Sequence, residues 1–177
     1  MENDEMTLTK PVQDLLRQLG EPDVDTAALA AAALADMGAI EAIPALRIAL
    51  TGVTTDPVVR NAVAIALSDL KDDGVVPLIG ELLLDPRTKG HRGTLLYALE
   101  SFDNRPLLRE LTQLVISGGF EVRHQAFQNI ASIRGTVDWD VWQESLSRVK
   151  EAVATAPEDR VDLLLDLRDV LDDDAEA

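Results

Sequence analysis

The chain contains no cysteine, which removes disulfides, thiolate nucleophiles and sulfur-liganded zinc together and fits a reducing compartment. Aromatic residues are scarce too, at 3% against 46% for apolar residues of all kinds. The apolar content is therefore mostly Ala, Leu, Val and Ile, side chains that suit helices packed at close range. Only ten glycines and eight prolines occur in 177 residues, and they fall between periodic segments rather than inside them. No apolar run is long enough to cross a bilayer. The opening Met1-Glu2-Asn3-Asp4-Glu5 lacks the basic-then-apolar order of a secretory signal. A soluble cytoplasmic chain with no membrane partner is the expectation. Positive charge is short as well: 16 Lys and Arg against 32 Asp and Glu give a formal net charge of −16. Phosphate backbones are repelled by such a surface, so no nucleic-acid partner is expected. Basic partners are attracted, and their association is accelerated.

What the chain does contain is a repeat. Leu34-Ala35-Asp36-Met37 lies over Leu67-Ser68-Asp69-Leu70, and Ala42-Ile43-Pro44-Ala45-Leu46 lies over Val75-Val76-Pro77-Leu78-Ile79, both at an offset of about 33 residues. The pattern Arg60-x-Ala62-x-x-x-Ala66-Leu67-x-x-Leu70 recurs as Arg92-x-Thr94-x-x-x-Ala98-Leu99-x-x-Phe102, and again as Arg123-x-Gln125-x-x-x-Asn129-Ile130-x-x-Ile133. The spacing from arginine to last apolar residue is constant, and only the loops change length.

Each unit reads as two helices. Asp56 can cap the orphan amides of a first turn, and Pro57 sacrifices no hydrogen bond at the first helical position. Val59, Val63, Ala66, Leu67 and Leu70 then share one helical face. Lys71-Asp72-Asp73-Gly74 breaks the chain, and Val75 to Leu84 forms the second helix. Helix pairs are expected at about 25–51, 56–84, 91–117 and 120–154, preceded by a helix from about Pro11 to Leu19 and followed by one from about Pro157 to Leu171. The expected fold is all-α: an α-solenoid of about four helix pairs with a capping helix at each end. One domain over 1–177 is expected, with short disordered tails at about 1–8 and 172–177.

The string Asp56-Pro57-Val58-Val59-Arg60-Asn61-Ala62-Val63-Ala64-Ile65-Ala66-Leu67 resembles the short HEAT-like repeat that is also found in phycobilin lyases. The resemblance covers roughly residues 25 to 135 and specifies the fold far better than the function, because one solenoid scaffold hosts many roles. The Thr-Pro-Leu-His signature of ankyrin repeats and the Trp-x-x-Leu-Gly pattern of tetratricopeptide repeats are absent. In HEAT stacks the second helix of each pair lines the concave surface. That placement puts Arg47, Gly80 and Arg109 in one column, and Ile48, Glu81 and Glu110 in the next.

Nothing in the sequence argues for catalysis. There is no Gly-x-Ser-x-Gly, no phosphate-cradling glycine loop, and no Ser/His/Asp set in a suggestive order. Gly118-Gly119 reads as a helix-ending loop. His91 and His124, the only histidines, stand in no metal-ligand spacing, and the His-Glu pairs of deoxyhypusine hydroxylases are missing. No enzyme activity, cofactor or metal is expected. Arg60, Arg92 and Arg123 share one repeat register and read as braces between neighbouring repeats. Asp36 and Asp69 share another and read as inter-repeat hydrogen-bonding residues.

The remaining candidates concern binding. Arg87-Thr88-Lys89-Gly90-His91-Arg92 is the one basic cluster; a solvated loop is the preferred reading, and an anion grip involving Lys89 and His91 at a helix start is the alternative. Trp139 and Trp142, three apart, share a helix face among acidic neighbours; they are candidate anchors for a basic partner, with at least one expected in the core. The final forty residues hold 13 acidic groups against 4 basic ones, so the last helix is a further acidic docking face. The leading expectation is a monomeric module that binds a basic protein through Arg47, Glu81, Arg109, Glu110, Lys89, His91, Trp139 and Trp142. A small, acidic, stand-alone repeat protein resembles the immunity proteins that neutralise bacterial toxins. A phycobilin lyase-like chromophore-handling subunit and a general HEAT scaffold are the alternatives. A helical-repeat DNA glycosylase is disfavoured, because those proteins look basic along the DNA-facing groove.

Overall fold

The computed structural model describes residues 8–173, with side chains as far as residue 172. The expected tails fall largely outside that range. At the C-terminal end the expectation needs correcting: residues 172 and 173 belong to the last turn of a helix, and Asp172 is tied to Lys150 by an ion pair of 3.1 Å. Every regular element among the described residues is helical: ten α-helices and three short 3-10 turns. The chain divides into two compact units, Met1–Leu82 and Leu83–Ala177.

The first unit contains α1 (Lys10–Leu19), α2 (Val24–Asp36), α3 (Ile43–Thr51), α4 (Pro57–Asp69) and most of α5 (Val75–Leu84). Helix α2 packs against α1 and α4, and α3 packs against α4. Small residues make this close approach possible: Ala27, Ala30, Ala31, Ala64 and Ala66 are all buried beside Leu34, Leu46, Leu50 and Leu67. Helix starts follow the expected chemistry. Asp56 accepts the Val58 amide at 2.8 Å with Pro57 behind it, and Asp23 accepts the Thr26 amide at 2.9 Å. Each such cap satisfies one of the donors that a helix leaves open at its N-terminus.

Helix ends repeat as faithfully. After α2 the chain turns through Gly38 at φ 63°, and the Ala39 amide returns to the Leu34 carbonyl at 3.0 Å. One repeat later the same left-handed turn falls on Lys71 at φ 57°, and the Asp72 amide returns to the Leu67 carbonyl at 3.0 Å. Such caps favour glycine because a Cβ crowds the following carbonyl. Lys71→Gly is therefore expected to stabilise the protein by roughly 0.5–1 kcal/mol, read as a higher urea midpoint at unchanged slope.

The second unit contains α6 (Arg92–Ala98), α7 (Leu108–Ser117), α8 (Phe120–Ala131), α9 (Trp139–Thr155) and α10 (Glu158–Asp173). Helix α8 packs against α6 and α7, α7 also against α9, and α10 against α9. Helix α6 is the short member of its register. It begins at Arg92 itself, whereas α4 and α8 each begin three residues before their repeat arginine. The missing turn is taken up by a 3-10 turn at Pro86–Thr88, started by Asp85, whose carboxylate accepts the Arg87 amide at 2.8 Å. Gly93 allows α8 to come near, since a Cβ there would stand 2.9 Å from Glu121 Oε1. Two buried asparagines close gaps in backbone pairing: Asn129 donates to the Leu96 carbonyl at 2.9 Å, and Asn104 to that of Leu99 at 3.1 Å. Helix α10 buries Leu164, Leu167 and Leu171 while Asp162, Asp166 and Asp169 face solvent, the two-sided pattern of an end helix.

Candidate functional site

The repeat arginines are structural to different degrees. Arg60, 3% exposed, donates through Nε to the Leu50 carbonyl at 3.1 Å, and through Nη2 to the carbonyls of Gly52 at 2.9 Å and Thr55 at 3.0 Å. It thereby binds α4 to the end of α3, the brace expected from its register. Arg92 does less of the same, reaching the Asp85 carbonyl at 3.2 Å. Arg123 is equally buried at 5% exposure, yet its Nε has no hydrogen-bond partner among the described residues.

Among the described residues Asp36 and Asp69 do not carry the expected inter-repeat bonds; both are exposed at their helix ends. The carboxylate that does this work is Asp72, three residues beyond Asp69. Asp72 is buried and forms a two-pronged ion pair with Arg47, with Nε to Oδ2 at 2.7 Å and Nη2 to Oδ1. This hydrogen bond raises the arginine's pKa above its already high ordinary value. Gly74 completes the arrangement, because a Cβ there would collide with the Arg47 guanidinium. The charge of Arg47 is thus committed within the first unit. Glu81, on α5 of the same unit, is exposed.

Lys89 and His91 are exposed in the loop before α6. Their cationic neighbours are engaged locally: Arg87 pairs with Asp85 and Arg92 holds the Asp85 carbonyl. Helix α6 spans only 7 residues, and His91 at its start makes no side-chain cap.

Four candidates lie on two packed helices of the second unit: Arg109 and Glu110 on α7, and Trp139 and Trp142 at the start of α9. Arg109 Nε meets Glu144 Oε2 at 2.6 Å, tying α7 to α9. Its pKa is raised first by that hydrogen bond and further by the charges of Glu144, Asp138 and Glu110, with partial desolvation opposing. Gln113 and Arg148 make a second link between the same helices. One carboxylate oxygen of Glu110 is buried without a hydrogen-bond partner among the described residues. Asp138 caps α9, its Oδ1 accepting the amides of Asp140 at 3.1 Å and Val141 at 3.2 Å. Trp139 and Trp142 stack with ring centroids 5.0 Å apart and planes inclined by 24°. They divide the roles that sequence spacing left undivided: Trp142 is 7% exposed, and Trp139 is 62% exposed.

Glu144 is the member of this neighbourhood that the sequence reading missed. Glu144 lies 35 residues from Arg109 with all of α8 between them. Asp138 left a signal in its position before an aromatic helix start.

No group of three or more His, Asp or Glu able to hold a metal ion occurs among the described residues. His124 is turned onto its own helix, with Nδ1 2.8 Å from the Phe120 carbonyl. Shallow cavities occur in each unit among the described residues. One of about 240 Å³ in the second unit is lined by Ile116, Thr155, Pro157, Arg160 and Leu164. One of about 200 Å³ in the first is lined by Leu19, Pro22, Ala49, Thr55 and Val59. Among the described residues no helix is long and apolar enough to cross a membrane.

Paired helices, recurring caps and a shared arginine register define a helical-repeat protein. Residues 12–100 match the family described as HEAT repeats, about half of the chain, and the protein belongs to that family. No curated protein matches it.

Proposed function

We propose that this HEAT-repeat chain is a non-catalytic protein-interaction module whose partner is a basic protein. HEAT repeats commonly serve as scaffolds for protein–protein contact. The observation that carries the finer reading is how charge is distributed over the two units. Arg47, Arg87, Arg105, Arg109 and Arg168 each pair with a carboxylate of this chain, and Arg60 is turned inward onto carbonyls. With 32 acidic groups against 16 basic ones, the charge left for a partner is overwhelmingly negative. Such a surface steers cationic partners and repels nucleic acid. Size, acidity and the lack of a catalytic constellation in the sequence further fit a monomeric cytoplasmic immunity protein that neutralises a basic bacterial toxin.

A tagged pull-down from the native host, with mass spectrometry of the eluate, tests this. One basic protein is expected at near one-to-one stoichiometry. Its binding should weaken as salt rises from about 50 to about 300 mM, and on combining Glu81→Lys with Glu110→Lys. Recovery of pigment proteins would move the reading to chromophore handling. Recovery of no specific partner, or of an acidic one, would overturn it.

A further inference from the structure

We propose that the Trp139–Trp142 stack is the docking point for an arginine side chain on a basic segment of the partner protein, with Asp138 and Asp140 as its carboxylate rim. The inference deepens the functional reading above and rests on it.

Trp139 is among the largest apolar side chains of the chain, and it stands 62% exposed at the first position of α9. One face of its indole is occupied by Trp142 at 5.0 Å; the rest is open to water. The platform is rigid. Asp138 fixes the helix start through the Asp140 and Val141 amides, and Trp142 is buried beneath. A rigid exposed indole contributes contact area at little entropic cost, which is why tryptophan is favoured as an anchor.

Charge selects the occupant. Asp138 and Asp140 bracket Trp139 in the chain, and both are exposed. An apolar or anionic partner would desolvate those carboxylates without compensation, whereas a cation is drawn both to them and to the indole face. Arginine suits better than lysine, because its planar guanidinium stacks on the ring while its edge donates to carboxylates. A second copy of this chain is a poor occupant, since it carries the same net charge of −16.

The two tryptophans give two indole N–H signals in nitrogen-15-labelled full-length protein. The probe is an acetylated, amidated pentapeptide of alternating arginine and glycine, with lysine and glutamate versions as controls. Both indole signals are expected to move and saturate with the arginine peptide, less with lysine, and not with glutamate. Trp139→Ala, at an exposed position, should leave the backbone spectrum folded and weaken the arginine peptide roughly tenfold. Equal binding of the lysine peptide, unmoved indole signals, or an affinity within about twofold after Trp139→Ala would each overturn the site. The two readings separate cleanly. A basic partner whose affinity survives Trp139→Ala keeps the function and removes this site. A selective response to the arginine peptide with no basic partner recovered keeps the site and removes the function.

Discussion

Exchanging Arg60 for methionine is expected to lower stability by about 3 kcal/mol, whereas the same exchange at Arg123 is expected to be neutral or mildly stabilising. Both arginines occupy one repeat register and both are more than nine-tenths buried. What separates them is where the guanidinium ends. Arg60 serves the carbonyls of Leu50, Gly52 and Thr55, and methionine would leave these acceptors short of donors while keeping the apolar stem. Bonds from a charged donor are worth more than neutral ones, and buried acceptors left unpaired carry their own penalty. At Arg123 the Nε already lacks an acceptor, and the side chain makes no ion pair among the described residues. A hydrocarbon of similar shape there gives up no bond from Nε and removes part of the cost of desolvating the charge. Thermal unfolding followed by circular dichroism distinguishes the two, with a drop of roughly 10 °C for Arg60→Met and little or none for Arg123→Met. Equal losses would show that the register acts as a uniform brace and that the Arg123 guanidinium finds partners of its own.

That contrast also marks how far the sequence could be read. The register itself was legible, because helix pairs that stack must repeat their spacing, and all four pairs and both end helices stand where the periodicity puts them. The start of α4 was legible for a local reason: Asp56-Pro57 can do little else than cap and open a helix. What each register residue touches was not. Asp69 and Asp72 are both carboxylates near one helix end, and only the turn through Lys71, with its positive φ, brings Asp72 rather than Asp69 under Arg47. The three 3-10 turns escaped notice because three residues leave no periodicity to detect. Asn129, standing where the sister repeats have Ala66 and Ala98, was a usable clue that went unread. A polar residue at an alanine position in a core needs a partner, and here it is the Leu96 carbonyl.

The candidate site divides along the same line. That Trp139 and Trp142 share a helix face followed from their spacing alone, and so did the acidity around them. That Arg109 is tied to the helix that carries them did not, since the link runs through Glu144, with all of α8 between them in the chain. Local chemistry is written in adjacent residues, while the assembly of a surface depends on how helices distant in sequence come to rest.

The second large effect is expected at Trp142. Trp142→Ala should cost about 3–5 kcal/mol, as truncation of a buried aromatic does, whereas Trp139→Ala should stay within about 1 kcal/mol of the parent because its ring is mostly in water. Trp142→Phe is the informative intermediate. The indole Nε1 has no acceptor among the described residues, so phenylalanine gives up some area and no hydrogen bond, and a cost below about 1.5 kcal/mol is expected. Urea titrations followed by circular dichroism measure all three without relying on tryptophan emission. A Trp142→Phe loss as large as that of Trp142→Ala would mean that the N–H is already bonded within the folded chain. If phenylalanine is tolerated, it becomes the tool that parts stability from recognition, because it keeps an aromatic ring beneath Trp139. An arginine-bearing partner should then still find the exposed indole of Trp139.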